Sequence, residues 1–271
     1  MTPRLSHALA AEAIGTFLLV LSGTGVVAAA VLTGAQVGLW QVAAVWGFGV
    51  AIAIAVSAGT SGAHLNPAVT LALATFRGAT FPRSRVLPYV GAQLAGGVLA
   101  GCAVLAVFSP FLDRFEREHQ IVRGEPGSEA SAMVFGEYFP NPAMFPEPSD
   151  AALVSPLRAA GVEAFGTAVL VFVIFALTDG RRVPVNAALT PLLIGLAVAV
   201  LISLFAPVTQ AGWNPARDFG PRLVAFAAGW GEVAIPGPRG GFWVYIVGPV
   251  LGGLLGGGAY EATLGRAAGR G

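Results

Sequence analysis

Apolar residues in this chain run in long stretches rather than in short patches between charges. Six stretches, at positions 5–32, 38–58, 85–108, 157–178, 186–206 and 242–260, are bounded by polar or turn residues. Each approaches the roughly 20 residues a helix needs to cross a bilayer, so the pattern predicts transmembrane helices. The first is too long for the apolar core of a cleavable signal peptide and is read as a retained span. Two shorter apolar segments, 66–76 and 214–228, open on Asn-Pro and cannot span. They are expected to be half-helices that enter and leave on the same side. The fold class that follows is an all-α membrane protein of six transmembrane helices plus two re-entrant half-helices.

Composition narrows the partners. Of 271 residues 55% are hydrophobic and only 11% charged, which excludes an ordinary soluble protein. The 37 Gly and 19 Pro fall within apolar runs, as they do in membrane helices, and do not mark disorder. The 15 basic residues, all Arg, stand against 14 acids with no basic block, so no nucleic acid partner is expected. The lone Cys102 rules out a disulfide within the chain. Lipid and small solutes remain. No metal-ligand cluster or nucleophile with an adjacent base appears in the apolar segments, so neither a cofactor nor an enzymatic activity is expected.

Charge placement sets the orientation. Arg4, Arg77, Arg83, Arg85, Arg181, Arg182, Arg266 and Arg270 fall on one side against Asp179 and Glu261. The long connection 109–156 carries eight acids against Arg114, Arg117 and Arg123. By the positive-inside rule both termini are cytoplasmic and that connection is external. Its length points either to a structured cap or to partial disorder.

The two halves, 1–108 and 157–271, repeat each other. Glu12-Ala13-Ile14-Gly15-Thr16 matches Glu163-Ala164-Phe165-Gly166-Thr167, Tyr89 through Gly96-Gly97 matches Tyr245 through Gly252-Gly253, and Asn66-Pro67-Ala68 matches Asn214-Pro215-Ala216. Each half holds three spans, an odd number, so the second copy must be inverted. Inverted repeats with broken helices put a solute site at their interface, near the bilayer midplane. The glycines from Gly97 to Gly101 and from Gly252 to Gly258 are read as close helix crossings.

Asn before Pro is a strong start to a helix, the Asn as cap and the Pro in the first turn. Two such starts facing each other in mid-membrane concentrate positive potential, and their Asn amides can donate to a passing hydroxyl. A constriction that repels cations is therefore expected at Asn66 and Asn214. A third copy, Asn141-Pro142-Ala143, lies in the acidic connection without a following apolar segment and reads as a Pro-rich turn. Arg217 follows the second motif at membrane depth, where an Arg is costly enough to imply a pore role. Its neighbour Asp218 does not share its helix face. Glu12 and Glu163, at equivalent positions, are read as braces accepting hydrogen bonds from the adjacent loops, with proton coupling as the alternative.

These residues, Ser61-Gly62-Ala63-His64-Leu65-Asn66-Pro67-Ala68-Val69-Thr70 and Asn214-Pro215-Ala216-Arg217-Asp218-Phe219-Gly220-Pro221 with the repeated Glu-Xaa-Xaa-Gly-Thr, closely resemble the aquaporin and glycerol-facilitator family. The resemblance covers nearly the whole chain. It implies a single channel domain, one pore per subunit, a homotetramer, and glycerol and water as permeants. Asp218 and Arg222 match the glycerol-conducting branch. By the same resemblance the outer selectivity filter falls on Trp46, Ile202, Ala211 and Arg217. Carbonyls of Gly62, Ala63, His64, Gln210, Ala211 and Gly212 would line one stripe of the pore. Ile202 and Ala211 depart from the glycerol-facilitator pattern, which has Gly and an aromatic there. The set is similar to that of nodulin-like intrinsic proteins, which the resemblance associates with glycerol, small amides and metalloid hydroxides. The alternatives are thus a water-selective channel, a metalloid or urea channel and, more remotely, a coupled transporter.

Overall fold

The computed structural model describes residues 4–36, 38–181, 186 and 188–266. Arg182 and Arg270, counted above on the cytoplasmic side, lie outside the described residues. Long apolar helices form α1 (Leu5–Thr33), α2 (Leu39–Ser61), α4 (Val86–Glu118), α5 (Pro156–Thr178), α6 (Thr190–Thr209) and α8 (Val244–Tyr260). Among the described residues, six helical segments are long and apolar enough to cross a membrane. The half-helices are α3 (Pro67–Phe76) and α7 (Pro215–Ala225).

Inversion shows in the packing. Helix α1 lies against α2 and α4, while α5 lies against α6 and α8, and α2 crosses α6 at the centre. Glycines make these approaches possible. A Cβ at Gly47 would meet the carbonyl oxygen of Gly195 at 2.6 Å. One on Gly97 of α4 would meet the Ala216 carbonyl of α7 at 2.6 Å, and one on Gly253 of α8 the Ala68 carbonyl of α3 at 2.9 Å. The same glycine thus seats the opposite half-helix in each repeat. Gly96 and Gly252 likewise press on the carbonyls of Ala13 and Ala164. Backbones this close gain dispersion contacts that substitute for the hydrophobic drive lipid cannot supply.

One boundary differs clearly from that read from hydropathy. Helix α4 continues to Glu118 instead of stopping near 108. Its extra turns are mostly polar, but they bury Leu112 and Glu116, and Glu116 holds Arg123 at 2.9 Å, so packing against the following connection extends the helix. Helix α7 passes after Ala225 into a π-helical turn, Phe226–Trp230, and Gly229 at φ +107° breaks it beside the expected end at 228.

The connection 109–156 is an ordered cap. Its Met133, Val134 and Phe135 are buried, and Trp230 is fully buried against it with its indole N–H donating to Ser131 Oγ at 3.0 Å. Arg123 lies over the Trp230 ring at 4.2 Å. Tyr138 donates its hydroxyl to the Val233 carbonyl at 3.0 Å. Burial pushes the Tyr138 phenol up to about 12, which keeps it a donor.

Candidate functional site

Asn66 and Asn214 cap the half-helices. The Asn66 side-chain oxygen accepts from Ala68 N at 2.9 Å, and that of Asn214 accepts from Ala216 N at 3.0 Å and Arg217 N at 3.3 Å. Each amide group then reaches across the repeat interface. Asn66 Nδ2 donates to the Trp213 carbonyl at 2.9 Å, and Asn214 Nδ2 donates to the Leu65 carbonyl at 2.8 Å. An amide nitrogen carries two hydrogens, so one N–H per Asn is left for whatever occupies the cavity that both residues line. Pro67 and Pro215 occupy the first helical turns, where their missing N–H costs nothing, and Ala68 and Ala216 are fully buried beneath.

The loops before these caps are held in unusual backbone geometry. Gly62, Ala63 and Leu65 in the first and Gln210, Ala211 and Trp213 in the second all have positive φ. Such conformations cost of order 1–3 kcal/mol per non-Gly residue and persist only where surroundings enforce them. The enforcing groups are the two buried glutamates. Glu12 accepts from His64 N at 2.9 Å, Leu65 N at 2.7 Å and Gln93 Nε2 at 2.7 Å. Glu163 accepts from Trp213 N at 2.7 Å, Gly212 N at 3.1 Å and Thr209 Oγ1 at 2.7 Å. Tyr89 and Tyr245 complete the frame, donating to the carbonyls of Ser61 and Thr209 at 3.0 and 3.1 Å. With the loop donors on the carboxylates, the carbonyls are free to face the cavity.

That cavity measures about 880 Å³. Trp46, Ile202, Ala211 and Arg217 come together at one end, Gly62, Ala63, His64, Asn66, Gly212 and Asn214 follow, and Arg77, Asp179 and Arg181 rim the other. Leu19, Val50, Leu170 and Val198 supply apolar lining. Gln210 is the exception among the expected carbonyl positions. It does not line the cavity, and its side-chain oxygen accepts from Tyr138 N at 2.7 Å, tying the loop to the outer cap.

Arg217 is buried with its guanidinium 4.5 Å over the Trp46 ring. It donates to the Phe135 carbonyl at 3.5 Å and pairs with Glu137. Asp218 turns the other way and binds Arg222 at 2.6 Å, one helical turn on. The Asn141 motif is more than a turn. Its amide donates to the Ala206 carbonyl at 3.1 Å and its backbone N–H to the Pro207 carbonyl at 3.2 Å, fastening the cap to the end of α6. Hydropathy could not single out Glu137 or Asn141, since both lie in the polar connection and gain their partners only on folding.

The rim of the cavity at Arg77, Asp179 and Arg181 is an ion network. Asp179 accepts from Arg181 at 2.7 Å and from the Tyr260 hydroxyl at 2.7 Å, while Glu261 holds Arg77 at 2.7 Å and Arg181 at 3.0 Å. The Arg181 and Tyr260 hydrogen bonds hold the Asp179 carboxyl well below the usual carboxylate range.

A cavity between the two repeats, lined by the caps of two half-helices that meet there, defines a membrane channel protein. Comparison with known proteins identifies the kind. Residues 1–260 match the family described as Major intrinsic protein, and the chain belongs to that family. It is 45% identical over 269 residues to the glycerol uptake facilitator protein of Pseudomonas aeruginosa, covering 98% of this chain and 91% of the relative. The glycerol uptake facilitator protein of Escherichia coli K12 is 42% identical, with 98% and 90% covered. A propanediol uptake facilitator of Citrobacter freundii is 40% identical, with 98% and 95% covered. The fold matches that of the aquaglyceroporin from Plasmodium falciparum with a TM-score of 0.83 at 24% identity, over 99% of this chain and all of the other.

Proposed function

We propose that the chain is a passive channel for glycerol and related small polyols, with water as a further permeant. The observation that carries this reading is the mixed lining of the cavity. Asn66, Asn214 and the loop residues Gly62, Ala63, His64 and Gly212 line it together with apolar Leu19, Val50, Leu170 and Val198. A polyol needs both surfaces, because its hydroxyls exchange water for protein partners while its carbons slide along a wall that does not hold them. The 40–45% identity to facilitators named for glycerol and propanediol supports the same reading.

Within it, Trp46, Ile202, Ala211 and Arg217 form the filter. Ile202 and Ala211 exchange a small and a large position, keeping an amphipathic opening while moving its bulk to another wall. Glu12 and Glu163 brace the loops, since every donor in reach of them is a loop or framework group. Each subunit conducts alone within a homotetramer, with both termini cytoplasmic, the orientation favoured by the inner arginines.

The test is stopped-flow light scattering on proteoliposomes. An inward glycerol gradient should give fast reswelling that does not saturate and needs no ion gradient. Shrinkage without reswelling would make the protein a water channel, and flux dependent on a proton or sodium gradient would make it a transporter.

A further inference from the structure

Gly23 lies inside α1, where a residue without a side chain weakens a helix and so calls for a reason in the packing. A Cβ built on it would meet Cη2, Cζ2 and Cζ3 of the Trp46 ring at 2.1, 2.2 and 2.2 Å. The glycines at helix crossings behave otherwise. At Gly47, Gly97 and Gly253 the nearest atom is a backbone carbonyl oxygen of another helix. Gly23 gives way to one side chain, and that side chain lines the cavity. Leu19, one helical turn earlier on the same face of α1, lines the cavity as well. This face of α1 is therefore a cavity wall, and at Gly23 the Trp46 ring covers it.

We propose that Gly23 is a specificity-determining residue of the channel, a positioning residue whose missing side chain lets the Trp46 ring lie back on α1 and so sets the width of the filter. The proposal rests on the reading of Trp46 as a filter residue.

The ring is fixed from two directions. Its tip rests on α1 at Gly23, and the Arg217 guanidinium lies 4.5 Å from its centroid. Arg217 is itself buried and donates to the Phe135 carbonyl. Carbon atoms pack at about 3.5–4.0 Å, so a methyl group at position 23 would drive the ring tip back by about 1 Å or more. Spreading the helices is the costlier response. Right beside Gly23, α1 and α2 touch so closely that a Cβ on Gly49 would meet Ser22 Cβ at 2.5 Å, and separating them would leave a void in close packing. The cavity is the space open to the ring. The ring turns into it and narrows the opening that Trp46 shares with Ile202, Ala211 and Arg217, which excludes a solute with a carbon chain before it excludes water.

The experiment measures glycerol and water permeabilities by stopped flow on one proteoliposome preparation per variant. Gly23→Ala should lower the glycerol-to-water permeability ratio roughly fivefold or more. Gly25→Ala, two residues along the same helix with nothing within 4 Å of its Cβ, should leave the ratio at the wild-type value. Trp46→Phe withdraws the ring tip from α1, and in that background Gly23→Ala should change the ratio by less than about twofold. A ratio unchanged in Gly23→Ala, or a fall of the same size with and without Trp46→Phe, would overturn the proposal. Should Gly23→Ala alone fail to insert, insertion restored by Trp46→Phe locates the conflict at the ring and upholds it, whereas failure of both variants overturns it. Absence of glycerol flux in the wild type would instead overturn the channel reading itself.

Discussion

At the scale of residues, the proposed filter brings four side chains to one cavity. Arg217 lies over the Trp46 ring and donates to the Phe135 carbonyl, and Ile202 and Ala211 line the cavity with it, Ala211 with only a methyl group. Ala211→Phe should put a ring there and reduce glycerol permeation several-fold more than water permeation, measured by stopped flow on matched vesicles. Equal fractional losses would mean Ala211 does not face the permeant. Asn141→Ala removes one buried donor and leaves the Ala206 carbonyl short of a partner. It should lower the melting temperature of the solubilised protein, at about 1–3 kcal/mol for the lost bond, while flux per inserted channel is kept. The paired Asn caps and the paired glutamates were legible in the sequence because each pair occurs twice at matching positions. Glu137 was not, because eight carboxylates of the outer connection look alike until folding buries one of them against Arg217.

Elements show where hydropathy succeeds and where it stops. It locates spans because a bilayer demands about 20 apolar residues. It does not locate the end of α4, whose last turns are polar and held by Leu112 and the Glu116–Arg123 pair in the cap. The half-helices are legible from Asn-Pro, but their seating is a matter of backbone contact. Gly97→Val and Gly253→Val should each push a half-helix off its carbonyl neighbour and abolish the monodisperse peak in fluorescence-detected size exclusion. Gly25, with open space around its Cβ, should accept Ala without loss. Glu12→Gln and Glu163→Gln should both destabilise, since an amide presents hydrogens to loop N–H groups that need an acceptor. A thermal shift of similar size in the two variants would reflect the matched bonding of the repeats.

Over the whole molecule, the two rims respond to opposite ends of the pH scale. Asp179 titrates below its ordinary value, so its contribution is complete above the usual carboxylate pKa of about 3.9 and is lost as pH falls beneath that. Tyr138 titrates near 12 instead of about 10, so its contribution is complete below about pH 10 and is lost above it. These two groups should therefore contribute a fall in melting temperature below about pH 4 and another above about pH 10. Asp179→Asn should flatten the acid limb and Tyr138→Phe the alkaline one.

The crossed hydrogen bonds at the centre also impose a schedule on biosynthesis. Asn66 finds its acceptor 147 residues later in the chain, and Leu65 finds its donor 149 residues later. When the first repeat leaves the translocon, its loop therefore holds an unmatched donor and an unmatched acceptor at a depth where neither water nor lipid can serve them well. The nascent half-channel stays incomplete until its counterpart arrives. Closure of the midplane is thus a late event of assembly, and a chain interrupted before residue 213 has no conducting path to form.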